Sequence, residues 1–191
     1  PGLAKTTAIK VLAERIEGDF HRIQFTPDLL PADLTGTEIY RQQEGTFEFQ
    51  QGPIFHNMIL ADEINRAPAK VQSAMLEGMG EHQVAVGRVT YQMPPLCLVM
   101  APRNPIEQEG TYPLPEPQLD RFMFNIWVDY PLQHEEEQII GATTTGGLQE
   151  PQRILSKAQV IQLQKVVKKI PVSDHVVKYV VKLVRATRPQ Y

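Results

Sequence analysis

Four short strings in this sequence carry residue types able to act on a phosphate group. The chain opens Pro1-Gly2-Leu3-Ala4-Lys5-Thr6-Thr7 and runs on into a helical pattern. A phosphate-binding loop needs backbone N–H groups at a helix N-terminus, where the dipole favours anions. It also needs a lysine to reach the outer phosphates and a hydroxyl to hold Mg2+. Lys5 and Thr6 supply these, and Thr6 is the metal-binding hydroxyl. Ala4 stands where the general pattern has its last glycine. The first glycine and a strand leading into the loop are expected upstream. Alone, the string is also compatible with a lysine and a threonine in an ordinary first helical turn.

The second string is Met58-Ile59-Leu60-Ala61-Asp62-Glu63. An apolar run ending in two adjacent acids is costly as plain structure, because carboxylates are seldom set against a core without a partner. The C-terminal end of a buried parallel strand is also where open α/β sheets bind ligands. Asp62 there can hold Mg2+, directly or through water, and Glu63 can orient and polarise an attacking water. The third string places Asn104 just past the apolar run at 96–101, where its amide can bond that water or the γ-phosphate; by itself Asn104-Pro105 also reads as a turn. The fourth is Asp120-Arg121, where a guanidinium can stabilise transition-state charge across a subunit boundary or simply make a surface ion pair.

Positioning these groups requires alternating strands and helices. Helical periodicity covers residues 8–16, and residues 20–25 read as a strand. Residues 46–50 alternate apolar and polar as a strand does. After the strand at 58–61, Pro68 opens a helix with Val71, Ala74, Met75 and Met79 on one face. A hairpin is expected at 84–91 around Gly87, strands at 96–101 and 123–128, and a short turn or helix at 116–121. Alternation of this kind argues for a parallel α/β sheet. Beyond Pro131 only helical patterns remain, at 133–142, 157–169 and 174–187, with Ser156 and Ser173 as N-caps for the last two. The expected organisation is an α/β core over 1–130 and a helical subdomain over 131–191.

Composition narrows the function. The 191 residues are 42% hydrophobic and 21% charged with net charge -3, enough to build a core and too acidic overall to make nucleic acid the default partner. Lys165, Lys168, Lys169, Lys178, Lys182, Arg185 and Arg188 lie in helical patterns as a solvated face. Cys97 is the single cysteine and sits in an apolar run, so it reads as a core residue. His21, His56, His82, His134 and His175 lack metal-ligand spacing. With no membrane-span run and no signal peptide, a cytoplasmic protein is the simplest reading.

Taken together the strings carry a family resemblance. Residues 61–67, Ala-Asp-Glu-Ile-Asn-Arg-Ala, resemble the Walker B segment of MoxR-type AAA+ ATPases. Residues 104–116, Asn-Pro-Ile-Glu-Gln-Glu-Gly-Thr-Tyr-Pro-Leu-Pro-Glu, resemble that family's sensor-one region, and Gln118-Leu119-Asp120-Arg121-Phe122 its arginine-finger segment. Residues 1–6 resemble its Walker A, 45–55 its helix-two insert, and 84–91 the hairpin before sensor one. The resemblance spans essentially the whole chain. It implies a P-loop core with a parallel sheet flanked by helices, followed by part of an all-helical lid and truncated at both ends. It further implies ATP and Mg2+ as ligands, with Pro1, Gly2, Leu3, Ala4, Lys5, Thr6 and Thr7 on the nucleotide, Thr6 and Asp62 on the metal, and Glu63, Asn104 and Arg121 catalytic. Self-assembly into a ring, a hexamer, and chaperone-like action on other complexes, often beside von Willebrand A domain proteins, are implied as well. Two departures stand out: Pro102-Arg103 where the family carries Thr-Gln, and Pro117 where alanine is usual. A nucleotide-gated scaffold with little turnover and the motor subunit of a metal chelatase are the competing functions.

Overall fold

The computed structural model describes residues 5–103, 112–144 and 152–188. By contacts the chain groups into two units, Pro1–Lys157 and Ala158–Tyr191. The first unit is built on three parallel strands, β1 (Phe20–Gln24), β4 (Met58–Asp62) and β7 (Leu98–Met100), in the order β1-β4-β7. The central position of β4 explains its composition. With a strand on either side and helical layers on its faces, Met58, Ile59, Leu60 and Ala61 are all buried, and such strands read as unbroken apolar runs. In β1, by contrast, Ile23 is buried between exposed Arg22 and Gln24, so only one face packs inward.

Helix α1 (Lys5–Arg15) packs beside β4. Helix α3 (Ala69–Glu81) buries Val71, Gln72, Met75 and Leu76, the inward stripe set by its apolar spacing, and ends at His82 in the left-handed conformation. A short helix, α2 (Pro31–Thr35), buries Leu34 against this layer. Ile23, Phe25, Leu34, Ile54, Ile59, Ile64, Val71 and Met75 form the centre of the core, with Cys97 packed at its margin and its thiol pushed up by burial.

Two antiparallel hairpins stand off the parallel sheet. One joins β2 (Gly36–Arg41) to β3 (Thr46–Gln51), and the other joins β5 (Gln83–Val86) to β6 (Val89–Gln92). Phe49 stacks on Tyr91 with ring centroids 3.8 Å apart and ties one hairpin to the other. Gly36, at φ 93°, and Gly52 face each other at the base of the first hairpin, and a Cβ on either would run into the opposing backbone. The hairpin at 84–91 and the strand at 46–50 match expectation. The partner strand β2 and helix α2 were not anticipated.

One expected element does not form. Residues 123–128 are not a strand, and Met123, Phe124, Ile126 and Trp127 are 74–88% exposed. A strand persists only when a neighbour completes its ladder, and among the described residues β7 pairs with β4 alone. Apolar content by itself does not supply that partner. The following helix α5 (Gln133–Thr144) forms as expected, after the short α4 (Glu116–Leu119). In the second unit, α7 (Asp174–Ala186) starts after Ser173, which occupies the N-cap position with extended backbone but no side-chain cap bond. Helix α6 (Lys157–Val167) begins one residue after Ser156. Among the described residues no helix is long and apolar enough to cross a membrane.

Candidate functional site

The site forms at the C-terminal end of β4, where the chain must leave the sheet abruptly. Asp62 closes the strand, and Glu63 takes the left-handed conformation, φ 57° and ψ 40°. Left-handed backbone costs a non-glycine residue about 1–2 kcal/mol, and such strain gathers at functional positions. Its consequence here is geometric. The turn swings the chain into a 3-10 turn, Ile64–Arg66, and leaves the Asp62 and Glu63 side chains together at the sheet edge.

Three neighbours hold the pair. Strand register sets Gln24 opposite Asp62, and the Gln24 Nε2 donates to Glu63 Oε2 at 2.8 Å. Arg22, two residues earlier on the same face of β1, donates from Nη2 and Nε to Asp62 Oδ2 at 2.7 and 3.1 Å, and from Nη2 to Gln24 Oε1 at 3.1 Å. Arg66 Nε lies 3.1 Å from Glu63 Oε2. The Asp62 side chain is only 16% exposed whereas Arg22 is 54% exposed, so the arginine has the freer access to water.

Gln72 fixes the floor beneath the turn. It is buried in α3, and its Nε2 lies 3.2, 3.1 and 3.2 Å from the carbonyls of Ile64, Ala67 and Tyr112. One amide thereby ties the turn after Glu63 to the backbone at Tyr112. Asn57, buried at the opposite end of β4, donates to the Leu96 carbonyl at 2.8 Å and accepts from the Asp19 N–H and the Lys157 ammonium at 3.3 and 3.1 Å. It anchors the end of the strand remote from the acids.

The position of α1 follows from chain geometry. The segment after α1 is clipped to the start of β4, since Met58 N–H donates to the Asp19 carbonyl at 2.9 Å. An 11-residue helix extends about 16 Å, and a five-residue strand extends about the same. Helix α1 is thus about as long as β4 and packs beside it. Pro1, Gly2, Leu3, Ala4 and Asn104 lie outside the described residues.

Arg121 is elsewhere. Its Nη1 donates to the Leu76 carbonyl at 2.6 Å, and its guanidinium lies over Gly80 in the second half of α3. Leu76 is seven residues into a helix whose start lies near the acids, about 10 Å along the axis. The expectation that Arg121 precedes a strand at Phe122 fails with that strand. Its distance from Asp62 and Glu63 rests instead on this docking to α3.

The donor set at this edge suits one kind of ion. Mg2+ is usually held by one or two carboxylates together with substrate phosphates and water. Asp62 offers such a carboxylate, whereas no cluster of three His, Cys, Asp or Glu exists among the described residues to hold an ion by itself. Residues 1–124 match the family model described as the ATPase family associated with various cellular activities (AAA). The chain belongs to this family. Within it, relatives of the chain include MoxR proteins. The chain is 52% identical over 190 residues to Chaperone MoxR1 of Mycobacterium tuberculosis, covering 98% of this chain and 50% of that protein. It is 35% identical over 141 residues to Protein MoxR of Paracoccus denitrificans, covering 71% and 41%. The crystal structure of a candidate ATPase from Cytophaga hutchinsonii superimposes with a TM-score of 0.84 at 50% identity, covering 98% of this chain and 57% of that one. This MoxR chain thus spans about half the length of the relatives it matches.

Sequence reading missed Arg22, Gln24, Gln72 and Asn57. The alternation around Ile23 marks one face of β1 as polar, but the register that sets Gln24 against Asp62 is a tertiary fact.

Proposed function

We propose that this MoxR protein binds ATP with Mg2+ and hydrolyses it, and that turnover drives a chaperone-like assembly or remodelling activity. The observation that carries this reading is the strained turn at Glu63, which sets two carboxylates side by side at the C-terminal end of the central parallel strand. In P-loop enzymes catalysis is mostly positioning and charge stabilisation, with little covalent chemistry from the protein. Backbone groups of Pro1–Thr7 would cradle the phosphates, Lys5 would face their negative charge, and Thr6 and Asp62 would hold Mg2+, which supplies charge neutralisation on the phosphates when bound. Glu63, oriented by Gln24, accepts a proton from and aligns the attacking water. Asn104 bonds the water or the γ-phosphate from the loop after β7. Arg121, remote from its own Glu63, acts on the nucleotide of a neighbouring subunit in a ring, a hexamer.

In this reading residues 1–130 are the nucleotide-binding core and 131–191 part of a helical lid subdomain. A von Willebrand A domain protein is a candidate partner, and the cytoplasm the expected compartment. Similarity to Chaperone MoxR1 of Mycobacterium tuberculosis supports the assembly role. A nucleotide-gated scaffold is the second reading, favoured by Pro102-Arg103 just before Asn104.

Separating the two acids tests the proposal. In the full-length protein Glu63→Gln retains Mg-ATP binding and hydrolyses it very slowly, whereas Asp62→Asn loses Mg2+-dependent binding. Identical binding defects in both variants, measured by nucleotide titration with and without Mg2+, refute this division of roles.

A further inference from the structure

Arg22 is not explained by packing, because its side chain is 54% exposed on an edge strand. Its donors are nevertheless concentrated on one atom: Nη2 at 2.7 Å and Nε at 3.1 Å both meet Asp62 Oδ2. A third bond, from Nη2 to Gln24 Oε1 at 3.1 Å, holds the guanidinium in that orientation. A carboxylate oxygen that already accepts two N–H donors from a cation is a poor ligand for a dication. Its lone pairs are engaged, and a unit positive charge sits beside the position a metal would take.

Resting on the reading of Asp62 as the Mg2+ acid, we infer that Arg22 is a positioning residue that competes with Mg2+ for Asp62 and so sets how much Mg2+ nucleotide binding demands. The asymmetry in exposure decides which partner yields. Asp62 is nearly buried at the end of β4 and keeps its place, while Arg22 can swing into water without opening a cavity. The negative charge of a triphosphate at the same sheet edge then gives the metal what a bare Asp62 under Arg22 does not. Arg22 thereby makes cation capture depend on nucleotide rather than on the acid alone.

The test uses the full-length protein and a fluorescent ATP analogue, reading the Mg2+ concentration that half-saturates analogue binding. Arg22→Gln and Arg22→Met both remove the charge and lower that concentration, by on the order of tenfold for one unit charge a few ångströms from a dication in a high-dielectric surround. Arg22→Lys keeps the charge and stays closer to the parent protein than either. An unchanged or raised half-saturating Mg2+ in the neutral variants overturns the inference, a rise meaning that Arg22 only orients Asp62. Asp62→Asn in the same assay separates the two layers. If it abolishes Mg2+ dependence while the neutral Arg22 variants match the parent, only the role of Arg22 fails. If it leaves Mg2+ dependence intact, the assignment of Asp62 fails, and this inference with it.

Discussion

Replacing Gln72 by leucine tests how the turn after the acids is held. The side chain sits in α3 at 1% exposure, and leucine fills similar space without an amide. A primary amide has two N–H donors, shared here among the carbonyls of Ile64, Ala67 and Tyr112 at 3.1–3.2 Å. Ile64 and Ala67 are buried, at 3% and 0% exposure, whereas Tyr112 is 48% exposed and its carbonyl can turn to water. The Ile64 carbonyl keeps the Ala67 N–H at 3.3 Å, so one buried carbonyl, that of Ala67, loses its donor. At about 1–3 kcal/mol for one buried group left unsatisfied, partly offset by the extra apolar contact of leucine, Gln72→Leu should destabilise the protein by about 1–2 kcal/mol. Urea unfolding should show this as a lowered midpoint with unchanged slope. Because the freed turn begins at the residue after Glu63, turnover should fall more than nucleotide affinity. A midpoint shift equivalent to less than about 0.5 kcal/mol, within the range of an ordinary surface substitution, would refute the reasoning and leave Gln72 as a space-filling residue.

Lys5→Ala should weaken ATP binding by removing the charge that faces the β- and γ-phosphates; an unchanged dissociation constant by titration rules this out. Arg121→Ala should retain nucleotide binding and lose hydrolysis, by about 10³ to 10⁵ if it acts as an arginine finger. Mixing Arg121→Ala with Lys5→Ala subunits should restore part of the activity, since an intact Arg121 can then meet an intact Lys5; co-assembled mixtures that recover nothing leave Arg121 as the clamp on the Leu76 carbonyl alone. His21 stacks on His56 with centroids 4.6 Å apart, and burial first, then the His56 charge, lower its pKa from the ordinary 6.5. The unfolded chain therefore binds the proton more readily, so this contribution to stability is present above pH 6.5 and is lost as pH falls below it toward the lowered folded value. His21→Gln should flatten that part of the stability-versus-pH curve in urea melts; an identical slope in the variant contradicts the assignment.

Much of the site was legible because its signals are local. An apolar run long enough for one buried strand, ended by Asp62-Glu63, locates a buried strand and the end at which its acids emerge; that this strand is flanked on both sides is a fact of the sheet order. The helix after Lys5, the hairpin about Gly87 and the helix opened by Pro68 are likewise written in periodicity and turn residues, and all of them form. Residues 123–128 show the limit of such signals. Their apolar content reads as a strand, yet a strand is a property of a pair, and among the described residues β7 pairs with β4 and no further strand joins its other edge. The same holds at the site. Nothing within the string Arg22-Ile23-Gln24 says that it faces Asp62 and Glu63; the parallel register of β1 on β4 decides it. Nothing about Gln72 as a residue of a helix says that its amide reaches three carbonyls from two loops. The sequence alone pointed to the lysine, hydroxyl and acids that could act on a phosphate, and it put the two acids at the end of a buried strand. Only the tertiary structure decided what holds them there, because hydrogen bonds between residues some 40 positions apart depend on register and packing, which no local pattern encodes.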